Sequence, residues 1–391
     1  MQQTVEFQIE PLPGSGIWTG SDDPKKMNLL KGTSLVGSMR FWTEALLRSF
    51  EHRVCDCVQD HETFDKDHYM GGGDGNVCSA CHSFGCTGLA RAFSLHINTK
   101  QPLSLQLKKA NIKISAPNRG DTYYSLATGW TEKFSLTLSC QRALSWPCDE
   151  HRKKNHYVLP PEVVLATFIM LEYGTLGAMD QYGCGLVQTP NRKELVDTIQ
   201  SALGSMHTGV MKPEPGQANL KDFYFFKGSL DNTALNELCN CTISRESLRQ
   251  EGAPVAAASI IRIRRLLRDT LRSQFTNLST GKELRHWLCG YIQKSNNAKN
   301  LGSHISVSVS NGTLYGWGWV PRTGIVLTKD ERVQNSLDER ETILQAIHSC
   351  IKSFCPSIEW REFQSVRDKN SPQDWQQYLR DMIARPWRKA S

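Results

Sequence analysis

The sequence predicts an α+β fold, with helices laid against antiparallel sheets, and three observations lead there. Apolar–polar alternation at Val5–Pro11 and Phe134–Cys140 has the two-residue period of half-buried strands. Leu35, Met39, Trp42, Leu46 and Leu47 fall at the spacing of one apolar helix face. Segments of these two kinds follow one another through the first half of the chain.

The strand Val5–Pro11 leads into a loop rich in glycine, serine, proline and charge, from Pro13 to Gly32, and Ser34 then opens the first helix. Leu89–Ile97, Asn111–Ser115 and Phe134–Cys140 read as strands. Pro161 stands in the first turn of a helix over Glu162–Tyr173, where its missing N–H costs nothing. The glycine-rich turn Gly174–Gly185 leads to the strand Leu186–Thr189. Strand–helix–strand–strand–helix–strand is the order of a ferredoxin-like arrangement, expected over residues 1–190. Residues 53–86 or so are too polar and glycine-rich to bury a core and are expected as an insertion in it.

Across 191–219 the composition shifts toward proline, glycine, lysine and glutamine, the mark of a linker. Beyond it, over 220–391, come an aromatic strand at Asp222–Gly228 and a basic helix at Val255–Ser273. Ser303–Ser310 and Thr313–Val320 form a hairpin around Asn311–Gly312, because Asn-Gly accepts positive φ. A helix near Ser336–Phe354 and an amphipathic stretch, Pro372–Ile383, follow. The expected architecture is two ferredoxin-like lobes, the second a degenerate copy of the first.

With 391 residues, 39% of them hydrophobic and 9% aromatic, the chain has enough apolar mass for real cores, which excludes wholesale disorder. No apolar run approaches the roughly 20 residues that span a bilayer. The N-terminus lacks the basic-then-apolar order of a signal peptide, so the expected location is the cytoplasm. Thirteen cysteines are therefore expected reduced, and their odd number argues against a complete disulfide framework. A net charge of +7 suits a polyanionic partner.

Cys55-x-Cys57 and Cys78-x-x-Cys81 are closely paired thiols some twenty residues apart. Two such pairs complete a tetrahedral Zn²⁺ site, and four thiolates leave no open position for water, so this zinc is expected to be structural. Metal ligation supplies folding energy that the polar intervening segment lacks. His52, His61, His68, His82 and Cys86 are reserve ligands.

Lys31 to Arg40 runs from a loop into a helix N-terminus, where unpaired N–H groups, the helix dipole and two cations suit phosphate; a Ser-capped helix is the alternative. The glycines of 174–185 bring backbone close to either a neighbouring strand or a polyanion, and Tyr182 among them has a face for a base. Arg262, Arg265 and Arg272 share one face of the basic helix, with Arg264 and Arg268 adjacent and Asp269 nearby. Asp22 and Asp23 form either a turn or a divalent-cation site (Mg²⁺) able to assist cleavage through a 2′-hydroxyl.

Three segments together resemble the RAMP proteins of CRISPR type III effectors. KGTSLVGSMRFWTEALLRSF is similar to their first helix signature, and CSACHSFGCTG, Cys78–Gly88, to the segment before their second strand. GTLGAMDQYGCGLV resembles their glycine-rich loop. Asn300–Ile305 with GWGWVP, and Arg40-Phe41-Trp42, make the chain most like the head RAMP of the Cmr (type III-B) complex. Val36 stands where the signature has lysine, and Cys86 where it has serine. The resemblance implies a non-enzymatic, antiviral-defence subunit whose RRM-like sheets hold guide RNA, or target RNA, among other type III effector subunits. The residues it places at RNA are Lys31, Gly32, Ser34, Arg40 and Arg91, with Gly177, Tyr182, Gly183 and Gly185. The alternative it leaves open is a target-RNA endoribonuclease using Asp22 or Asp23.

Overall fold

The structure, a computed structural model, describes residues 3–20, 30–55, 62–70, 76–99, 109–116, 120–127, 129–141, 158–178, 180, 183–212, 214, 216–231, 233–234, 253–275, 281–290, 303–323, 325–326, 332–333 and 337–388. It is a mixed α+β protein with two four-stranded antiparallel sheets.

The first sheet is built from β1 (Thr4–Pro11), β2 (Phe93–Thr99), β5 (Phe134–Cys140) and β6 (Val187–Gln188), in the order β2-β5-β1-β6. Helices α1 (Gly32–Ser49) and α4 (Pro161–Tyr173) pack together on one face of it. Strand alternation decides which face: Val5, Phe7 and Ile9 of β1 and Leu136 and Leu138 of β5 point inward and are buried. Among the described residues the other face is open. There, cross-strand rows join Thr4, Ser139 and Ser94; Glu6, Thr137 and His96; and Gln8, Ser135 and Asn98.

The second sheet is built from β7 (Phe223–Ser229), β8 (Ile305–Ser310), β9 (Thr313–Trp319) and β12 (Ile358–Glu362), in the order β12-β7-β9-β8. Both its faces are covered. Phe223, Phe225 and Trp317 meet Trp42 of α1, with ring centroids 5.0–6.3 Å apart, and Phe225 also meets Tyr173 of α4. On the opposite face Tyr224 and Phe226 stack on Trp360 beneath α6 (Ala253–Gln274) and α8 (Leu337–Phe354). Gly316 and Gly318 alternate with Trp317 and Trp319 because the rings of Phe226 and Tyr224 lie where their Cβ atoms would be. The molecule is thus layered: first sheet, α1 with α4, second sheet, α6 with α8.

α7 (Gly281–Cys289) flanks α6, and α9 (Trp375–Ala384) returns the C-terminus to the first half. There Arg388, fully enclosed, donates to the carbonyls of Leu171, Val187 (2.6 Å) and Gly174.

Several expectations change. The strand expected at Leu89 begins at Phe93, because Gly85 and Gly88, both at positive φ, fold 86–89 into a tight turn. The Asn111–Ser115 strand lies within β3 (Lys109–Ala116), which pairs with β4 (Gly120–Ala127) in a separate hairpin rather than in the main sheet. Residues 191–219, expected as linker, contain α5 (Arg192–Gly204), packed on α4. Small elements α2 (Lys66–Met70) and α3 (Ser79–Phe84) lie within the polar insertion, and β10 (Ile325–Val326) pairs with β11 (Arg332–Val333). Among the described residues no helix is long and apolar enough to cross a membrane.

Candidate functional site

The insertion gathers a donor cluster against α1. Cys78 caps α3, and its sulfur accepts the Cys81 backbone N–H at 3.4 Å, so Cys-x-x-Cys turns both thiols toward one point. Cys55 closes from the end of the loop after α1, its sulfur 3.5 Å from Cys78 and 3.6 Å from Cys81. Glu62 is the fourth donor, and the four ligand atoms lie within 4.8 Å of one another. Its carboxylate accepts the Cys78 N–H at 2.8 Å and pairs with Arg53 at 2.8 Å.

This set fits a divalent cation. A tetrahedral site with metal–sulfur bonds of about 2.3 Å sets sulfurs about 3.8 Å apart, close to the spacing found. Hydrogen bonding with Cys55 and Cys81 shifts the Cys78 thiol far below its ordinary range, while Cys55 is pushed up to about 12 and Cys81 is raised as well.

Cys57, expected as a ligand, lies outside the described residues, as does His61. His52 instead bonds the His207 carbonyl and Ser79. Cys86 lies beside the cluster, its thiol raised by burial and by the nearby Glu62 and Cys78. Glu62 went unnoticed in the sequence because no cysteine-type spacing marks it, although carboxylate oxygens also ligate zinc.

Arg40, expected at phosphate, turns to this cluster. Its Nε donates to Glu44 at 2.7 Å and its Nη2 lies 3.4 Å from the Cys81 sulfur. Burial opposes its charge, but Glu44 and Cys81 more than offset that and raise its pKa above the usual arginine range. The guanidinium is committed to the thiols and to the helix.

The other expected RNA residues separate into groups. Lys31 is the N-cap of α1 and makes no side-chain cap, and the first turn holds no acid, so the Ser-capped alternative does not apply. Ser34 lies inside the helix, donating to the Thr19 carbonyl at 2.6 Å. Thr33 and Gly37 are exposed, and nothing lies within 4 Å of a Cβ built at Gly37. Ser38 joins this turn to Gly177 of the glycine loop (3.2 Å from the Gly177 N–H).

The loop's glycines answer to protein rather than to a ligand. A Cβ at Gly177 would strike the Trp18 carbonyl, at Gly185 the Leu176 carbonyl, and at Gly183 the Ile260 side chain of α6. Arg91 lies over the Phe93 ring at 5.0 Å and donates to the Phe93 carbonyl. Asp22, Asp23 and Tyr182 lie outside the described residues.

The expected RRM-like use of the sheets has no support in their faces. RRM sheets stack bases on exposed aromatics. The open face of the first sheet carries serine, threonine, glutamine, asparagine, Glu6 and His96, and the aromatic second sheet is covered on both sides.

Comparison with known proteins matches residues 14–188 to the RAMP superfamily. The match runs from the loop before α1, through the cysteine cluster, to β6. No curated protein sequence matches the chain. Among solved structures, the chain is similar to apo Cmr1 from Pyrococcus furiosus, at 13% identity and a TM-score of 0.41, covering 92% of this chain and 98% of that one. It is also similar to a chain of the type III-B Cmr-beta complex bound to cognate target RNA and AMPPnP in the presence of single-stranded DNA. That likeness has 10% identity and a TM-score of 0.43, covering 90% of this chain and 100% of that one.

Proposed function

We propose that this chain is an RNA-holding, non-catalytic subunit of a type III CRISPR ribonucleoprotein of the Cmr kind, with two ferredoxin-like lobes and one structural zinc. The RAMP match over residues 14–188 carries the reading. Strand order supports the lobes: numbering each sheet's strands along the chain, both run fourth-first-third-second with a helix in each crossover. The partners follow from the family: guide RNA, target RNA and neighbouring effector subunits.

RNA contact is assigned to the start of α1 rather than to a sheet face. The N–H groups of Gly32 and Thr33 at the helix start, Lys31 beside them and exposed Thr33 and Gly37 suit a ribose-phosphate strand gripped without base readout. Zinc would be held by Cys55, Cys78, Cys81 and Glu62, and its role is to fix α3 and Arg40 against α1.

Lys31→Ala is expected to weaken single-stranded RNA binding about equally across sequences. It should flatten the dependence of log K on log salt by about 0.7, the value of one phosphate contact. An unchanged slope overturns this placement. Metal analysis should find zinc in the purified chain and none in Cys81→Ser.

A further inference from the structure

We propose that the α6–α7 corner of the second half is a further contact for the RNA backbone, an inference that rests on the RNA-holding reading above. Five arginines lie on α6, and the structure divides them. Arg264 donates to the Cys289 carbonyl at 3.0 Å and Arg268 to the Gly290 carbonyl at 3.4 Å, so both satisfy the C-terminal end of α7. That capping fixes α7 along α6 and brings Arg285, one turn before Cys289, alongside Arg268 and Arg272. Burial and these two like charges lower the pKa of Arg285.

Arg265, Arg268 and Arg272 succeed one another at spacings of three and four, which sets them on one strip of the helix. Arg272 is exposed, and Arg265, Arg268 and Arg285 are half-buried with their stems against the helix pair. Among the described residues, Arg265 and Arg272 make no ion pair, and Asp269 adds an opposite charge near Arg285. Arg268 and Arg272 thus act on Arg285 as like charges, and Arg265 lies on the same strip of α6. A fold that gathers like charges this way gains from an extended anion that several of them can share, and a phosphodiester strand provides one.

The test is the salt dependence of binding of a labelled single-stranded RNA of mixed sequence to the full chain, with polyglutamate as a second probe. Arg265→Gln with Arg272→Gln should flatten the log–log slope by about 1.4, twice the value of one contact on single strands. Arg265→Lys with Arg272→Lys should restore most of the slope, and an unchanged circular dichroism spectrum shows that the fold is kept. An unchanged slope in the double glutamine variant, with Lys31→Ala still flattening it, overturns this corner and leaves the general reading standing. No RNA binding by the parent chain overturns both. Loss of polyglutamate binding with the RNA slope intact overturns the proposal in favour of an acidic protein partner.

Discussion

The two sheets share one strand order and differ in what lies against them. The first has helices on one face and water on the other, and its strand β1 alternates strictly, Val5 and Phe7 inward, Glu6 and Gln8 outward. The second lies between two helical layers, and in β7 Phe223, Tyr224, Phe225 and Phe226 are all buried. The difference teaches that the second sheet is where the halves are joined. Its aromatic face is completed by Trp42 and Tyr173 from the first half, so neither half keeps its core without the other.

The sharpest way to break this comparison is to remove the ring that joins them. Trp42→Ala empties a site bordered by Phe223, Phe225 and Trp317 and should cost about 3–5 kcal/mol in urea unfolding followed by circular dichroism. A cost under about 1 kcal/mol would mean that the halves are only loosely apposed.

A smaller effect concerns His304, which is enclosed at the β8 end of the second sheet between Trp287 and Trp319, its Nδ1 2.5 Å from the Trp287 carbonyl. Burial pushes its pKa down to about 4 from an ordinary 6.5, against the pull of that carbonyl. Folding therefore favours the neutral ring. This contribution is complete above pH 6.5 and is lost as pH falls toward 4, with a slope of up to about 1.4 kcal/mol per pH unit for one proton. His304→Asn should flatten the stability profile across that window, measured by denaturant titration at successive pH values. An unaltered profile would show that the ring is open to water.

The smallest effect belongs on the open face of the first sheet. Thr137→Val, in the row between Glu6 and His96, should change stability by no more than about 0.5 kcal/mol. A larger loss would reveal that this face is covered.

The same contrast explains what could be read from the sequence. The first sheet's strands announced themselves by alternation and α1 by one apolar face, because these elements obey a local period, while α4 was legible as a largely apolar run between Pro160-Pro161 and Gly174. In β8, Ile305-Ser306-Val307-Ser308-Val309-Ser310 also alternates, yet every residue is buried. Two of its serines face the glycine loop, Ser306 near the Asp180 carbonyl and Ser308 near Gly183, a tertiary contact that no period encodes. For the same reason the loop's glycines suggested a ligand when what approaches them is Trp18, Leu176 and Ile260. Cys55, Cys78 and Cys81 were legible from spacing, whereas Glu62 and the turn of Arg40 toward Cys81 depend on how the insertion folds back on α1.

The most direct measurement is to purify the tagged full chain from its own cells and identify what accompanies it. Guide RNAs and further effector subunits are expected to accompany it and to be released as salt is raised. A chain that emerges alone, without nucleic acid at any salt concentration, would contradict it.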